Sequence, residues 1–182
     1  MHILQTILLV RDPAERAWSE YKFFKGHGTT PSVSVSEFHT DVLKAINVWR
    51  NCRRNAPMEV CVHDVTVNNV VPRLNIGMYT IHIKKWLHFF PRKQVLVLSS
   101  EFLANKPRQA YEEMFRFLDV PSPSPALWSA ILTSNDLNVN WREGDLRPLD
   151  HTMALLQTFY RQFTREFTDL MRSHNYTHAF HA

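Results

Sequence analysis

Residues 3–21 read ILQTILLVRDPAERAWSEY, and this stretch decides the fold. Residues 3–10 (ILQTILLV) are a short apolar run that stops at a charged turn, the pattern of a strand buried on both faces of a parallel sheet. Asp12 then reads as a helix N-cap and Pro13 as the first helical residue, with Glu15 completing a capping-box-like pair. Ala14, Ala17, Trp18 and Tyr21 follow at helical spacing, so one face of that helix is apolar. Strand, tight turn and helix in this order make half of a βαβ unit.

Working outward, Ser34 and Glu37 offer a second capping box, ahead of Phe38, Val42, Ala45, Ile46 and Trp49 at 3.6-residue spacing. Residues 52–76 show no period, and Pro57 and Pro72 break them. From Gly77 a helix reads Tyr79, Ile83, Trp86, Leu87 and Phe90 and stops at Pro91. Residues 94–98 (QVLVL) repeat the look of a short buried strand. Pro107 opens a helix with Ala110, Tyr111, Met114, Phe115 and Leu118 on one face, and residues 121–125 (PSPSP) form a stiff connector. Residues 135–149 are polar and read as a loop. Asp150 caps a last long helix with Leu156, Phe159, Tyr160, Phe163, Phe167 and Leu170 turned inward. The reading is one domain over residues 1–182, α/β in class, helix-rich, with a short parallel sheet. Two such strands alone leave both sheet edges open, so either the chain holds further strands or it is part of a larger domain; a core strand as early as residue 3 favours the second, with an N-terminal strand expected ahead of it.

Composition bounds the function. The chain has 182 residues, 45% hydrophobic, 21% charged and 12% aromatic, which fits a folded domain and excludes disordered and collagen-like classes. A chain of this size buries about 70% of its unfolded surface and needs no metal or disulfide to fold. A net charge of +4 suits an anionic ligand but falls far short of the basic stripe of a nucleic-acid binder, so no nucleic-acid partner is expected. No run of 18 apolar residues occurs, so no membrane span is expected; residues 1–10 also lack the basic leader and small-residue cleavage site of a signal peptide.

Other features are read conservatively. Cys52 and Cys61 stand nine positions apart, which permits a local disulfide without demanding one and is too few ligands for zinc. His174, His178 and His181 share a helical spacing, yet nothing completes a ligand set, so a solvated, frayed terminus is expected and no metal. His82, Lys84, Lys85 and His88 form the polar face of the Gly77 helix, by default a solvated face, though one on which an acidic glycan could lie. Asn175-Tyr176-Thr177 is a glycosylation sequon, usable only in a secretory protein.

The chemistry centres on the opening stretch. Arg11 stands at the carboxyl end of a parallel strand, where open α/β sheets bind ligands. Ser19 lies seven residues past the cap, nearly two helical turns, so it shares the azimuth of the helix start. A guanidinium fork and a hydroxyl so placed can hold one phosphate. Spacing alone favours the plainer alternative, in which Arg11 pairs with a helix acid and Ser19 is an ordinary surface position.

The segment Arg11-Asp12-Pro13-Ala14-Glu15-Arg16, followed by Ser19 and Tyr21, resembles the 3′-phosphate-binding element of sulfotransferases that use 3′-phosphoadenosine-5′-phosphosulfate (PAPS). Residues 77–91 (GMYTIHIKKWLHFFP) resemble that family's Gly-x-Tyr helix, residues 94–101 (QVLVLSSE) the strand and acid after it, and Phe115, Phe117, Leu118, Phe159, Tyr160 and Phe163 its later landmarks. Among these enzymes the chain is most similar to Golgi carbohydrate sulfotransferases acting on glycosaminoglycans, in the branch that sulfates position 6 of N-acetylgalactosamine 4-sulfate.

The resemblance implies a three-layer sandwich related to nucleoside kinases, and PAPS as cofactor, with its 3′-phosphate on Arg11 and Ser19. It implies an acidic polysaccharide acceptor, a luminal or membrane Golgi setting, and a Cys52–Cys61 disulfide suited to an oxidising lumen. Two features depart from the pattern. The family's 5′-phosphosulfate loop and catalytic base are absent from these residues, so the N-terminal strand and loop are expected to be missing and the chain alone inactive, with no catalytic residue assigned. The family's basic lid motif corresponds to residues 143–148 (EGDLRP), where Arg142 or Arg147 would take over the anion contact. The alternatives are a tyrosylprotein-type sulfotransferase and a catalytically dead nucleotide- or glycan-binding module.

Overall fold

The opening strand forms as β1, Thr6–Val10. It pairs in parallel with β2, Val95–Ser99, in the register Thr6↔Val95 through Val10↔Ser99. The computed structural model describes residues 4–26, 33–133 and 146–179. Between the strands run α1 (Pro13–Gly26), α2 (Val35–Asn55), the short α3 (Met58–Cys61) and α4 (Val65–Asn68), a 3-10 turn at Leu74–Gly77, and α5 (Tyr79–Phe89). A second 3-10 turn, Arg92–Gln94, leads into β2. After it come α6 (Ser100–Asn105), α7 (Pro107–Phe117), α8 (Pro125–Thr133) and α9 (Asp150–Ser173). The chain is α/β, helix-rich, with a short parallel sheet, as residues 3–21 imply.

The chain divides into two compact units. A sheet unit comprises Met1–Arg11, His82–Asn138 and Glu166–Ala182; a helical unit comprises Asp12–Ile81 and Val139–Arg165.

In the sheet unit, β2 is buried along its whole length, as its apolar run predicts. Leu96 and Leu98 pack with Phe102 of α6 and Ala110 of α7, and Ile7, Met114 and Phe117 lie against them. β1 is different. Only Val10 is buried, and Leu9 is 50% exposed, so the expectation of burial on both faces fails for this strand. Its pairing among the described residues is with β2 alone. Neither α6 nor α8 was anticipated. α6 has six residues, too few to show a period; its signal is Ser99, whose hydroxyl caps it by accepting from the Phe102 N–H at 3.0 Å. α8 starts at Pro125, the last residue of the stretch read as a connector.

The C-terminal turn corrects the expectation of a frayed end. The Ser99 N–H donates to the His178 carbonyl at 2.8 Å, and the Tyr176 hydroxyl donates to the Val95 carbonyl at 3.0 Å. The Arg92 guanidinium lies 3.7 Å from the Tyr176 ring centroid, and its Nε donates to the His174 carbonyl. His178 stacks on Phe102 with centroids 4.1 Å apart. A buried strand needs partners for its edge groups, and this turn supplies them. His181 lies outside the described residues.

The helical unit has an aromatic core. Trp18 and Tyr21 of α1 meet Phe38 of α2 with ring centroids 4.9 and 5.0 Å away, and Trp49, Leu156, Tyr160 and Phe163 extend the same cluster. α2 is capped as expected, the Ser34 hydroxyl accepting from the Glu37 N–H, but it runs past Trp49 to Asn55. Residues 52–76, expected to be irregular, hold α3, α4 and the 3-10 turn. Elements of four residues cannot show a period; they stand on local polar bonds instead. Asp64 caps α4 by accepting from the Thr66 and Val67 N–H groups, and the buried Asn75 amide donates to the Val62 carbonyl and to Asn68 Oδ1. A disulfide joins Cys52 of α2 to Cys61 of α3.

Candidate functional site

The site is built on the turn from β1 into α1. Arg11 is the first residue after β1 and is half-buried. Asp12 caps α1 as the sequence predicts: its Oδ1 accepts from the Ala14 N–H at 2.9 Å and the Glu15 N–H at 3.0 Å. Pro13 occupies the first helical position, where its missing N–H costs nothing. Ser19 follows on α1, also half-buried. Arg147 is exposed in the residues leading into α9. Arg142 and residues 143–145 lie outside the described residues.

The cap decides where an anion can sit. The positive end of a helix normally attracts phosphate to its free N–H groups. Here a carboxylate already holds two of them, so a second anion at the tip would meet like charge. Arg11 lies ahead of this cap, and Ser19 follows further along α1.

A polar brace ties α1 to the residues at the start of the 3-10 turn. Arg16 donates through one nitrogen to Glu20 at 3.2 Å and through another to the Arg73 carbonyl at 2.8 Å. Glu20 also accepts from the Arg73 N–H at 2.9 Å and its Nε at 2.6 Å. The Tyr160 hydroxyl donates to the Leu74 carbonyl at 2.8 Å. Burial disfavours the Arg16 charge, but Tyr160 and Glu20 outweigh it, so the guanidinium is held above its ordinary pKa. Burial drives the Tyr160 phenol well above its ordinary value, and both groups keep their usual forms at neutral pH. Burial, with Glu37 and Asp41 near, pushes Tyr21 up to about 12.

Gly77 explains one landmark in physical terms. A Cβ there would stand 2.9 Å from Tyr160 Cε1 and Oη and 3.0 Å from Pro13 Cβ, inside van der Waals contact. Glycine lets the 3-10 turn, the start of α1 and Tyr160 close on one another. The available signal for this brace was the i, i+4 spacing of Arg16 and Glu20; the link to Arg73, 53 residues from Glu20, had none.

The sheet unit also holds an open groove of about 570 Å³ lined by Ile7, Tyr111, Met114, Phe115, Leu118, Ala130 and Ile131. Its walls are apolar and carry no cation, so it is no phosphate site. Among the described residues no group of three or more His, Cys, Asp or Glu side chains is placed to hold a metal ion, and no helix is long and apolar enough to cross a membrane.

Comparison with known proteins gives the following. The sulfotransferase domain matches residues 3–136. Human carbohydrate sulfotransferase 15 is 30% identical over 169 residues, covering 91% of this chain and 29% of that protein. Carbohydrate sulfotransferase 15 of Nototodarus sloanii is 26% identical over 151 residues, covering 77% of this chain and 90% of the relative. The mouse bifunctional heparan sulfate N-deacetylase/N-sulfotransferase 3 is 27% identical over 182 residues, covering 91% of this chain and 19% of that protein. The chain thus spans less than a third of the length of the first relatives it matches.

Proposed function

The chain belongs to the sulfotransferase domain family, and we propose that it is the 3′-phosphate-binding part of an enzyme that transfers a sulfuryl group from PAPS to a carbohydrate hydroxyl. The single observation that carries this reading is the match across residues 3–136, which takes in the β1–α1 turn with Arg11 and Ser19.

In such a transfer the acceptor oxygen attacks sulfur in line, its proton passes to a base, and the bond from sulfur to the 5′-phosphate oxygen breaks to release 3′-phosphoadenosine 5′-phosphate. This chain's contribution is binding and orientation. The Arg11 fork neutralises the 3′-phosphate, and Ser19 donates its hydroxyl. Arg16, Glu20, Arg73 and Tyr160 hold α1 so that Ser19 keeps its place. Arg147, exposed beside the start of α9, is free to contribute a second cation, and Arg142 is its alternative. We take residues 1–182 as one sulfotransferase domain.

The relatives' names favour a sugar acceptor over a peptide, and we extend that to an acidic polysaccharide of the kind acted on by the N-acetylgalactosamine 4-sulfate 6-O-sulfotransferase branch. A Golgi lumenal setting follows from the same kinship. Two features accord with it, the Cys52–Cys61 disulfide and the exposed Asn175 of the sequon, which sits at φ 56 in the C-terminal turn.

Calorimetric titration with 3′-phosphoadenosine 5′-phosphate tests the reading. Arg11→Ala should lose a charge-assisted contact of roughly 1.5–3 kcal/mol, about ten- to hundredfold in affinity. Ser19→Ala should lose less. A well-folded chain with no affinity for the nucleotide, or an Arg11→Ala variant that binds as tightly as wild type, overturns it.

A further inference from the structure

The polar face of α5 takes no part in the nucleotide clamp, yet it stands out in charge and exposure. From Val65 to Ser100 the sequence holds no Asp or Glu, against Arg73, Lys84, Lys85, Arg92 and Lys93. Arg92 is spent on Tyr176 and the His174 carbonyl. Lys84, Lys85 and Lys93 are exposed, and among the described residues no carboxylate pairs with them.

Helical geometry gathers these residues. At about 100° per residue, Lys84, His88, Lys85, Phe89 and Trp86 follow one another round an arc of roughly 200°. The opposite arc carries Ile83, which is buried, with Leu87 and Phe90 half-buried beside it. The exposed arc is therefore not a core face left bare. Phe89 is 67% exposed, in edge contact with His88, and Trp86 is 37% exposed while stacked on Phe90 at 5.2 Å. Two solvent-facing rings flanked by unpaired ammonium groups are an unusual surface, because exposed aromatic rings gain nothing from water.

We infer that the exposed face of α5 is a docking surface for an extended acidic polysaccharide, with a sugar ring seated on Phe89 and Trp86 and its anionic groups on Lys84 and Lys85. Pyranose C–H bonds are weakly positive and rest on the negative face of an aromatic ring, while sulfate or carboxylate groups meet the lysines. A bilayer fits worse. Membrane-surface helices present a broad apolar stripe, whereas α5 turns its own stripe inward and exposes most of one ring and part of another. The inference rests on the carbohydrate-acceptor reading and adds to it a surface on which the chain holds its polymer.

The test is titration of the full chain with dextran sulfate at several salt concentrations, with neutral dextran as control. Wild type should bind the sulfated polymer and ignore the neutral one. The double variant Lys84→Ala/Lys85→Ala should bind roughly tenfold more weakly near physiological salt and lower the salt slope by about two, as two released counterions require. Lys84→Arg/Lys85→Arg should bind like wild type. Phe89→Ala should weaken binding with the slope unchanged. Circular dichroism confirms that each variant is folded. Equal binding by wild type and the double alanine variant overturns the inference, as does binding to phosphatidylserine vesicles with none to dextran sulfate. Titration of the same samples with 3′-phosphoadenosine 5′-phosphate separates the two readings. Nucleotide binding without polysaccharide binding sinks the α5 surface alone, and the converse sinks the nucleotide clamp.

Discussion

The helical unit and the sheet unit remove apolar surface from water to different degrees. In the helical unit Trp18, Tyr21 and Phe38 are enclosed by α1 and α2, and Arg16, Glu20, Arg73 and Asn75 make hydrogen bonds beside them. In the sheet unit β2 is closed by α6, α7 and the C-terminal turn, while β1, its hydrogen-bonded partner of equal length, leaves Leu9 half in solvent. Both strands are apolar. What separates them is cover: a strand is buried by what packs on it, and its composition only states that cover would be favourable.

Three substitutions sharpen that contrast, in falling order of effect. Phe38→Ala empties the centre of the aromatic cluster and should cost about 3–5 kcal/mol in urea unfolding followed through Trp18 and Trp49; a loss below about 1 kcal/mol would mean that the cluster is not closed. Removing the disulfide with Cys52→Ser/Cys61→Ser frees a loop of nine residues' separation and should cost about 2.5 kcal/mol by loop entropy, read as a lowered unfolding midpoint. Reduction that leaves the midpoint unmoved would break the account of α2 and α3 as a tied pair. The smallest effect belongs to the open strand: Leu9→Ala should cost under about 1 kcal/mol, against about 2–5 kcal/mol for Leu98→Ala on β2. Equal losses would show that β1 is as well covered as β2 and erase the difference between the two strands.

Much of this was legible in the residues themselves. The Asp12 cap, Pro13, the Ser34 cap, the inward face of α9 and both strands follow from local chemistry, because a cap or a period needs only near neighbours. The short α3, α4 and α6 were illegible as periods and are marked only by capping residues such as Asp64 and Ser99. The ordered C-terminal turn could not be read from residues 174–178, because the acceptor of the Tyr176 hydroxyl is the Val95 carbonyl, 81 residues away.

By itself, then, the sequence determined the strand–cap–helix opening and the presence of Arg11 and Ser19 at a strand end and on a helix flank, all properties of residues within two turns of one another. Tertiary structure alone decided that Gly77 admits no side chain against Tyr160 and Pro13, that Arg73 reaches Glu20, and that β2 is covered while β1 is not. These depend on close approach between distant segments. Such approach is set by how whole faces pack, which local pattern does not encode.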